Sequence, residues 1–261
     1  MVDEEHRAGR PGKHISAEFR GEVCVVRWGS GSDGDLAGDL RAQLESCREY
    51  GATDIVLDLD AGTALGCEEV CVLQEAAETF HRGGGEFVIA AEEPAARAVL
   101  AGAGLVRAPL PHPSVVMAPG DQPLALPAKP LWEHEFTFAA STEALPTARR
   151  RVTAFAEVAG LRGADLFEFS VAVAEALANA FVHGSPHGDD DDIRVRFFCY
   201  DDEVAVEVAD GGGGLDATPI CVPEALASSG RGIHFMRALC DAVQFTCGPL
   251  GTHVLLVKRR G

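Results

Sequence analysis

Apolar positions in the first hundred residues follow two rhythms. Short runs in which every residue or every second residue is apolar (AEFRGEVCVVRW from Ala17, DIVLDLD from Asp54, EFVIAAE from Glu86) alternate with stretches whose apolar residues sit three and four apart. The first rhythm predicts strands and the second amphipathic helices. DLAGDLRAQLESCREYG predicts a helix ending at Gly51, a second helix runs from about Glu68 to Arg82, and PAARAVLAGAG predicts a short third. Strands alternating with helices imply crossover connections, and so a mixed sheet with helices packed on it.

After residue 130 the order changes. WEHEFTFAAS predicts a strand, and STEALPTARRRVTAFAEVAG a helix that Ser141 or Thr142 can cap. Asp165 to His183 predicts a second helix, IRVRFFCYDDEVAVEVAD a hairpin, GRGIHFMRALCD a helix and AVQFTCGPLGTHVLLVKR a closing hairpin. This half reads as α+β, with antiparallel strands under helices, and no internal repeat joins it to the first. Between the halves Pro109, Pro111, Pro113, Pro119, Pro123, Pro127 and Pro130 withhold backbone donors from any ladder or helix. The expected layout is a disordered tail over 1–14, a mixed α/β domain over 15–108, a stiff linker over 109–130 and an α+β domain over 131–261.

Composition narrows the partners. With 261 residues, 47% of them apolar, there is material for two cores. Twenty-two basic against 40 acidic residues give a net charge of −18, which repels phosphate backbones and anionic lipid, so no direct nucleic-acid partner and no membrane partner is expected. No run is read as approaching the roughly 18 to 20 apolar residues of a membrane span, and the N-terminus MVDEEHRAGRPGKH is polar, so a cytoplasmic location is expected. The eight cysteines, at 24, 47, 67, 71, 199, 221, 240 and 247, form no CxxC pair and no zinc-spaced cluster. They are expected to be free thiols behaving as small apolar residues.

Candidate chemistry gathers in the second half. On the helix FEFSVAVAEALANAFVHG, Glu175 and Asn179 lie four apart and share a face. Alone, such a pair is a solvated carboxylate and amide. Thirty residues on, the strand EVAVEVA runs straight into Asp210 and the glycines 211–214, where the backbone can turn sharply or approach a ligand. Gly230, Arg231 and Gly232 open the next helix, whose N-terminal amides can receive phosphate oxygens. Gly251 and Thr252 sit in the last hairpin.

In this order and at these distances, E-A-L-A-N-A-x-x-H-G, D-x-G-x-G, G-x-G and G-T resemble the Bergerat ATP-binding fold shared by gyrase, histidine kinases, mismatch-repair ATPases and the large heat-shock chaperone. The compact size and the NAFVHG ending resemble, within it, the anti-sigma-factor serine/threonine kinases. The resemblance spans about Trp132 to Arg260 and implies a histidine-kinase-like α/β sandwich that takes ATP and Mg2+. It implies that Asn179 ligates the magnesium, Glu175 accepts the proton of the attacking hydroxyl, and Asp210 receives the adenine amino group. Gly212 and Gly214 would make room for base and ribose, Thr252, beside Gly251, would close the adenine pocket, and Gly230, Arg231 and Gly232 would line the phosphates. Arg231 suits a phosphate as a fork-shaped donor, with a plain surface arginine as the alternative. Residues 215–229 stand where that family has its mobile lid, and His183 reads either as packing the site or as a structural histidine.

Residues from about Ile15 to Arg107 resemble the STAS domain of anti-sigma-factor antagonists in D-I-V-L-D-L, the helix after it, and G-G-x-F-V-I-A with its short final helix. In that family the loop before the helix reads Asp-Ser-Ser-Gly, its second serine being phosphorylated; here the stretch is Gly66-Cys67-Glu68-Glu69. The acceptor hydroxyl is missing. Glu68 either imitates a permanent phosphate at a helix N-terminus or is an ordinary helix-start carboxylate.

Together the two resemblances imply a kinase of partner-switching transcription control that binds a sigma factor or a STAS antagonist and forms a possible homodimer. A protein that holds ATP without transferring phosphate is the alternative. A histidine-kinase fragment would need a phosphorylatable histidine on a helical hairpin ahead of the ATP domain, where this chain has a β-rich domain and prolines instead.

Overall fold

The computed structural model describes residues 7–8, 15–29, 35–60, 62–63, 65–105, 126–127, 129–211, 231–248 and 251–261. The chain divides into two compact units, Met1–Ala108 and Pro109–Gly261.

The first unit holds a five-stranded sheet in the order β1-β2-β3-β4-β5, from β1 (Arg7–Ala8), β2 (Ile15–Arg20), β3 (Val23–Trp28), β4 (Asp54–Leu59) and β5 (Phe87–Ala91). β2 and β3 form an antiparallel hairpin, whereas β3, β4 and β5 run parallel. Parallel neighbours require the crossovers that α1 (Leu36–Glu49) and α2 (Cys67–Arg82) supply, with α3 (Pro94–Gly102) following β5. α1 buries Ala37, Leu40, Leu44 and Cys47 on one stripe. Asp35 caps it, accepting the Gly38 N–H at 2.8 Å. The core joins these to Trp28, Ile55, Leu57, Leu73, Phe80 and Leu100.

β1 departs from the expected disordered tail: Arg7 pairs with Glu18 and Ala8 with Ala17. β2 would otherwise be an open edge, and its unpaired backbone groups accept any extended segment that reaches them.

The second unit carries an antiparallel sheet in the order β6-β7-β8-β10-β9, built from β6 (Trp132–Ala139), β7 (Asp192–Cys199), β8 (Glu203–Asp210), β9 (Ala242–Gly248) and β10 (Gly251–Arg259). Helices α4 (Ala144–Val158), α5 (Gly163–Gly184) and α6 (Arg231–Leu239) complete it. Phe155 of α4 anchors the helices to the sheet: its ring lies 5.7 Å from Phe197, 6.3 Å from Trp132 and 5.2 Å from His134. The N-cap of α4 is Glu143 and not Ser141 or Thr142, although Ser141 still accepts the Ala144 N–H at 3.1 Å from two residues before it.

Two polar ties cross the elements. Lys258 on β10 reaches Glu168 of α5 at 2.7 Å, Asp165 at 3.5 Å and the Leu239 carbonyl at the end of α6 at 3.0 Å. Burial works to lower its pKa, but the Glu168 hydrogen bond and the charges of Glu168, Asp165 and Asp241 outweigh it and hold the ammonium above its ordinary value. On the other face of the sheet, buried Glu207 stands between Arg196 at 3.4 Å and His253 at 2.9 Å. Burial pushes its pKa up, yet His253, Arg196 and Arg194 together bring it below the usual value.

Two expectations change. The last residues of the expected linker belong to the second unit: Leu126 packs on the cluster of Phe198, Tyr200, Ala205 and Val257, and Pro130 is buried. The rest of that linker, residues 109–125 and 128, lies outside the described residues, as do residues 106–108, most of the tail and residues 212–230. Second, α5 does have the length and composition of a membrane span, with 22 residues and a mean hydropathy of 1.3 over its most apolar window. Its apolar content is split, however. Phe169, Ala172, Val173, Ala176, Leu177 and Ala180 are core residues, while Phe167 and Val182 are 70% and 65% exposed.

Phe155→Ala should empty the centre of the aromatic cluster and cost the second unit about 3–5 kcal/mol. A fall in its urea midpoint, followed by tryptophan emission from Trp132, checks this.

Candidate nucleotide site

The site begins with α5. A helix places residues four apart on one side, so Glu175 and Asn179, both half-buried, stand one turn apart on α5 outside its core-facing stripe. Next comes α6. A Cβ added at Gly232, in its first turn, would lie 3.0 Å from Glu175 Oε2 and 3.6 and 3.8 Å from the two amide atoms of Asn179. The α6 backbone therefore comes down almost onto both side chains, and only glycine leaves the space between them open. Glu175 and Asn179, remote from Gly232 in sequence, make one constellation.

A second cluster forms where β8 ends. Asp210 is 8% exposed, and its Oδ1 accepts the Thr252 N–H at 2.9 Å. A methyl group at Gly184, the last residue of α5, would overlap the Asp210 carboxylate, and one at Gly251 would overlap the Asp210 carbonyl. Gly251 also has φ +115°, in the region that favours glycine. Two glycines from different elements thus close on one carboxylate and fix where it points. A buried carboxylate held by a backbone N–H is a strong acceptor aimed at whatever enters beside it.

The two clusters share α5: Glu175 and Asn179 lie in its last turns and Gly184 is its end. Of the residues singled out in the sequence, the structure brings Glu175, Asn179 and Gly232 into one cluster and Asp210, Gly251 and Thr252 into another. Arg231 is the first residue of α6, and Gly212, Gly214 and Gly230 lie outside the described residues. Gly184 escaped the sequence reading as a site residue, although the signal was present in the His-Gly that closes NAFVHG. His183 is exposed. Residues 189, 190 and 192 of the acidic run are exposed as well, and Asp191 accepts the His187 N–H at 2.7 Å, which first among its causes holds the Asp191 pKa down.

Magnesium takes oxygen ligands and keeps several waters or phosphate oxygens of its own, so it needs few protein groups. The Asn179 amide beside the Glu175 carboxylate, with Gly232 adding no side chain between them and the start of α6, fits that requirement. Among the described residues no three His, Cys, Asp or Glu side chains form a metal cage.

Residues 138–258 match the histidine kinase-like ATPase domain family, and residues 14–118 match the STAS domain family. The chain is therefore a STAS domain followed by a histidine-kinase-like ATPase domain. Among individual relatives, it is 32% identical to the serine-protein kinase RsbW of Bacillus pumilus over 92 residues, 31% of this chain and 57% of that protein. It is 28% identical to the RsbW of Bacillus velezensis over 120 residues, 42% of this chain and 75% of that one. The chain thus spans little more than half the length of the first. The RsbU and RsbW domains of a Mycobacterium tuberculosis protein align over 49% of this chain and 32% of theirs, at 23% identity and a TM-score of 0.37.

Gly184→Ala tests the clamp on Asp210. The added methyl should displace the carboxylate from the Thr252 N–H and weaken binding of an adenine nucleotide at least about tenfold, roughly 1.4 kcal/mol. Isothermal titration with a non-hydrolysable ATP analogue reads this directly.

Proposed function

We propose that the second unit is a serine/threonine protein kinase of the anti-sigma-factor type, acting in the cytosol on a partner protein. The observation that carries the proposal is the approach of Gly232 to Glu175 and Asn179, which joins a carboxylate, an oxygen ligand and a helix N-terminus in one place. Phosphoryl transfer asks mainly for positioning and charge neutralisation, and these groups supply both. The similarity to serine-protein kinases RsbW is in keeping with it.

In this proposal Asp210 accepts the adenine amino group, Thr252 closes the base pocket, and Gly212 and Gly214 leave room for base and ribose. Gly230, Arg231 and Gly232 lie along the phosphates, where helix amides and a guanidinium favour negative charge. Asn179 would hold Mg2+, which when bound neutralises phosphate charge. Glu175 accepts the proton of the incoming serine or threonine hydroxyl, and the alignment of that hydroxyl contributes more than the basicity of the carboxylate.

The substrate is a separate protein. In the chain's own STAS domain the stretch Gly66-Cys67-Glu68-Glu69 has no hydroxyl at the position the family phosphorylates. Glu69 turns back to accept the Gly66 N–H at 2.9 Å, while Glu68 stays exposed in the first turn of α2. The partners are a STAS antagonist, as phosphate acceptor, and a sigma factor, as the protein held when the acceptor is absent. The kinase half acts as a homodimer. The chain's own STAS domain adjusts or addresses this activity.

Glu175→Gln should lower phosphate transfer to an acceptor STAS protein by roughly 10²-fold or more, with nucleotide affinity retained, as followed with γ-labelled ATP. ATP binding by the unaltered chain without transfer to any candidate acceptor would instead identify a binding regulator. Glu68→Ser should restore an acceptor: label is expected on residue 68 by peptide mass mapping, and its absence would refute the correspondence of Glu68 with the phosphorylated serine.

A further inference from the structure

The first unit holds a feature that nucleotide chemistry does not use. Cys24 on β3 and Cys47 on α1 lie 23 residues apart in sequence, yet their sulfur atoms are 3.4 Å apart inside the core. Their side chains meet where the last turns of α1 cross the sheet, and they are 0% and 1% exposed. Two sulfurs at this separation, from different elements, are within about 1.4 Å of the ~2.05 Å of a disulfide bond. A metal site is disfavoured, since no third His, Cys, Asp or Glu joins them among the described residues. The Gln43 amide donates to the Cys47 sulfur at 3.8 Å.

We propose that Cys24 and Cys47 are a reversible oxidation site of the STAS domain, closing to a disulfide that ties β3 to α1 when the chain meets a small-molecule disulfide. The Cys47 thiolate attacks one sulfur of the reagent, breaking its S–S bond and expelling one thiolate. The Cys24 thiolate then attacks the Cys47 sulfur of the mixed disulfide, forming the protein S–S bond and expelling the second. The protein is oxidised, the reagent is reduced to its thiols, and the protons of Cys24 and Cys47 end on the departing sulfurs.

The order of attack follows from the surroundings. The hydrogen bond with Cys24, and then that from Gln43, hold the Cys47 thiol below its ordinary pKa, whereas the same pairing and burial push Cys24 up. Position agrees with this. Cys47 is close to the end of α1 at Glu49, Tyr50 beyond it is 68% exposed, and half-buried Gln43 is in contact with the sulfur. Opening the last turn of α1 uncovers Cys47 first, and Cys24 stays beneath it as the resolving thiol.

The test treats the full chain carrying Cys67→Ser and Cys71→Ser, which removes the two exposed thiols on α2, with glutathione disulfide. The product is alkylated and digested without reductant. A peptide joining Cys24 to Cys47, released by dithiothreitol, is expected. With it should come a reversible rise of roughly 5–15 °C in the melting temperature of the first unit, lost in Cys24→Ala and in Cys47→Ala. Recovery of both cysteines as alkylated free thiols after prolonged treatment would overturn the proposal, as would glutathione standing on Cys47 with no link to Cys24. The peptide digest of the chain with both cysteines present decides the matter even where an alanine variant fails to fold.

Discussion

The second unit is organised around one buried carboxylate. Asp210 ends β8, takes the Thr252 N–H on one oxygen, and is pressed by the backbones of Gly184 and Gly251. A carboxylate in so enclosed a place would be costly if its position were loose, because an unmatched buried charge loses hydration without recompense. Glycine at both contacts lets backbone replace side chain around it. The end of a helix, the end of a strand and the start of a hairpin are thereby brought to one point. The Glu175 and Asn179 pair lies back along the same helix, so fixing the end of α5 also sets where those two groups stand.

Structural and chemical demands on α5 are divided by face. One stripe of it is core, packed on the same face of the sheet as Phe155 of α4 and Phe197 of β7. Glu175 and Asn179 lie off that stripe and meet the start of α6. Lys258 pins the other end of the helix to β10 through Glu168 and Asp165. A helix held at both ends and along its buried stripe carries Glu175 and Asn179 with little freedom, and preorganisation of that kind is what the proposed phosphoryl transfer would require. This also explains its high mean hydropathy, because a helix that buries a full stripe and keeps Phe167 and Val182 outside has few polar positions left.

The two units use different chemistry at their helix starts. In the first, α2 begins with Glu68 and Glu69, and Glu69 satisfies the Gly66 amide itself, so the acidic start is self-contained. In the second, α6 begins at Arg231 with Gly232 bare, and its approach to Glu175 and Asn179 leaves a helix N-terminus facing the pair that would handle phosphate. The acidic, self-satisfied helix start thus falls in the STAS domain, and the start with a bare glycine in the histidine-kinase-like ATPase domain.

Most of the elements were legible in the sequence because strand and helix periodicities are local: the rhythm of Ile55 to Leu59 or of Leu40, Leu44 and Cys47 needs no knowledge of the rest of the chain. The Glu175 and Asn179 pairing was legible for the same reason, being four residues on one helix, and the ordered glycine motifs pointed to the ATP-binding family. What periodicity could not supply is contact between remote segments. That Thr252 donates to Asp210 follows from β10 pairing with β8 ahead of β9, a choice of sheet order that no local pattern records. The same holds for Gly184 against Asp210, for Leu126 folding onto the sheet from a proline-rich stretch, and for β1 joining the edge of β2. Cys24 and Cys47 read as separate buried thiols until β3 and α1 crossed. Sequence determined which residues were available and on which faces; only the tertiary structure decided which of them meet, because packing, and not periodicity, selects partners far apart along the chain.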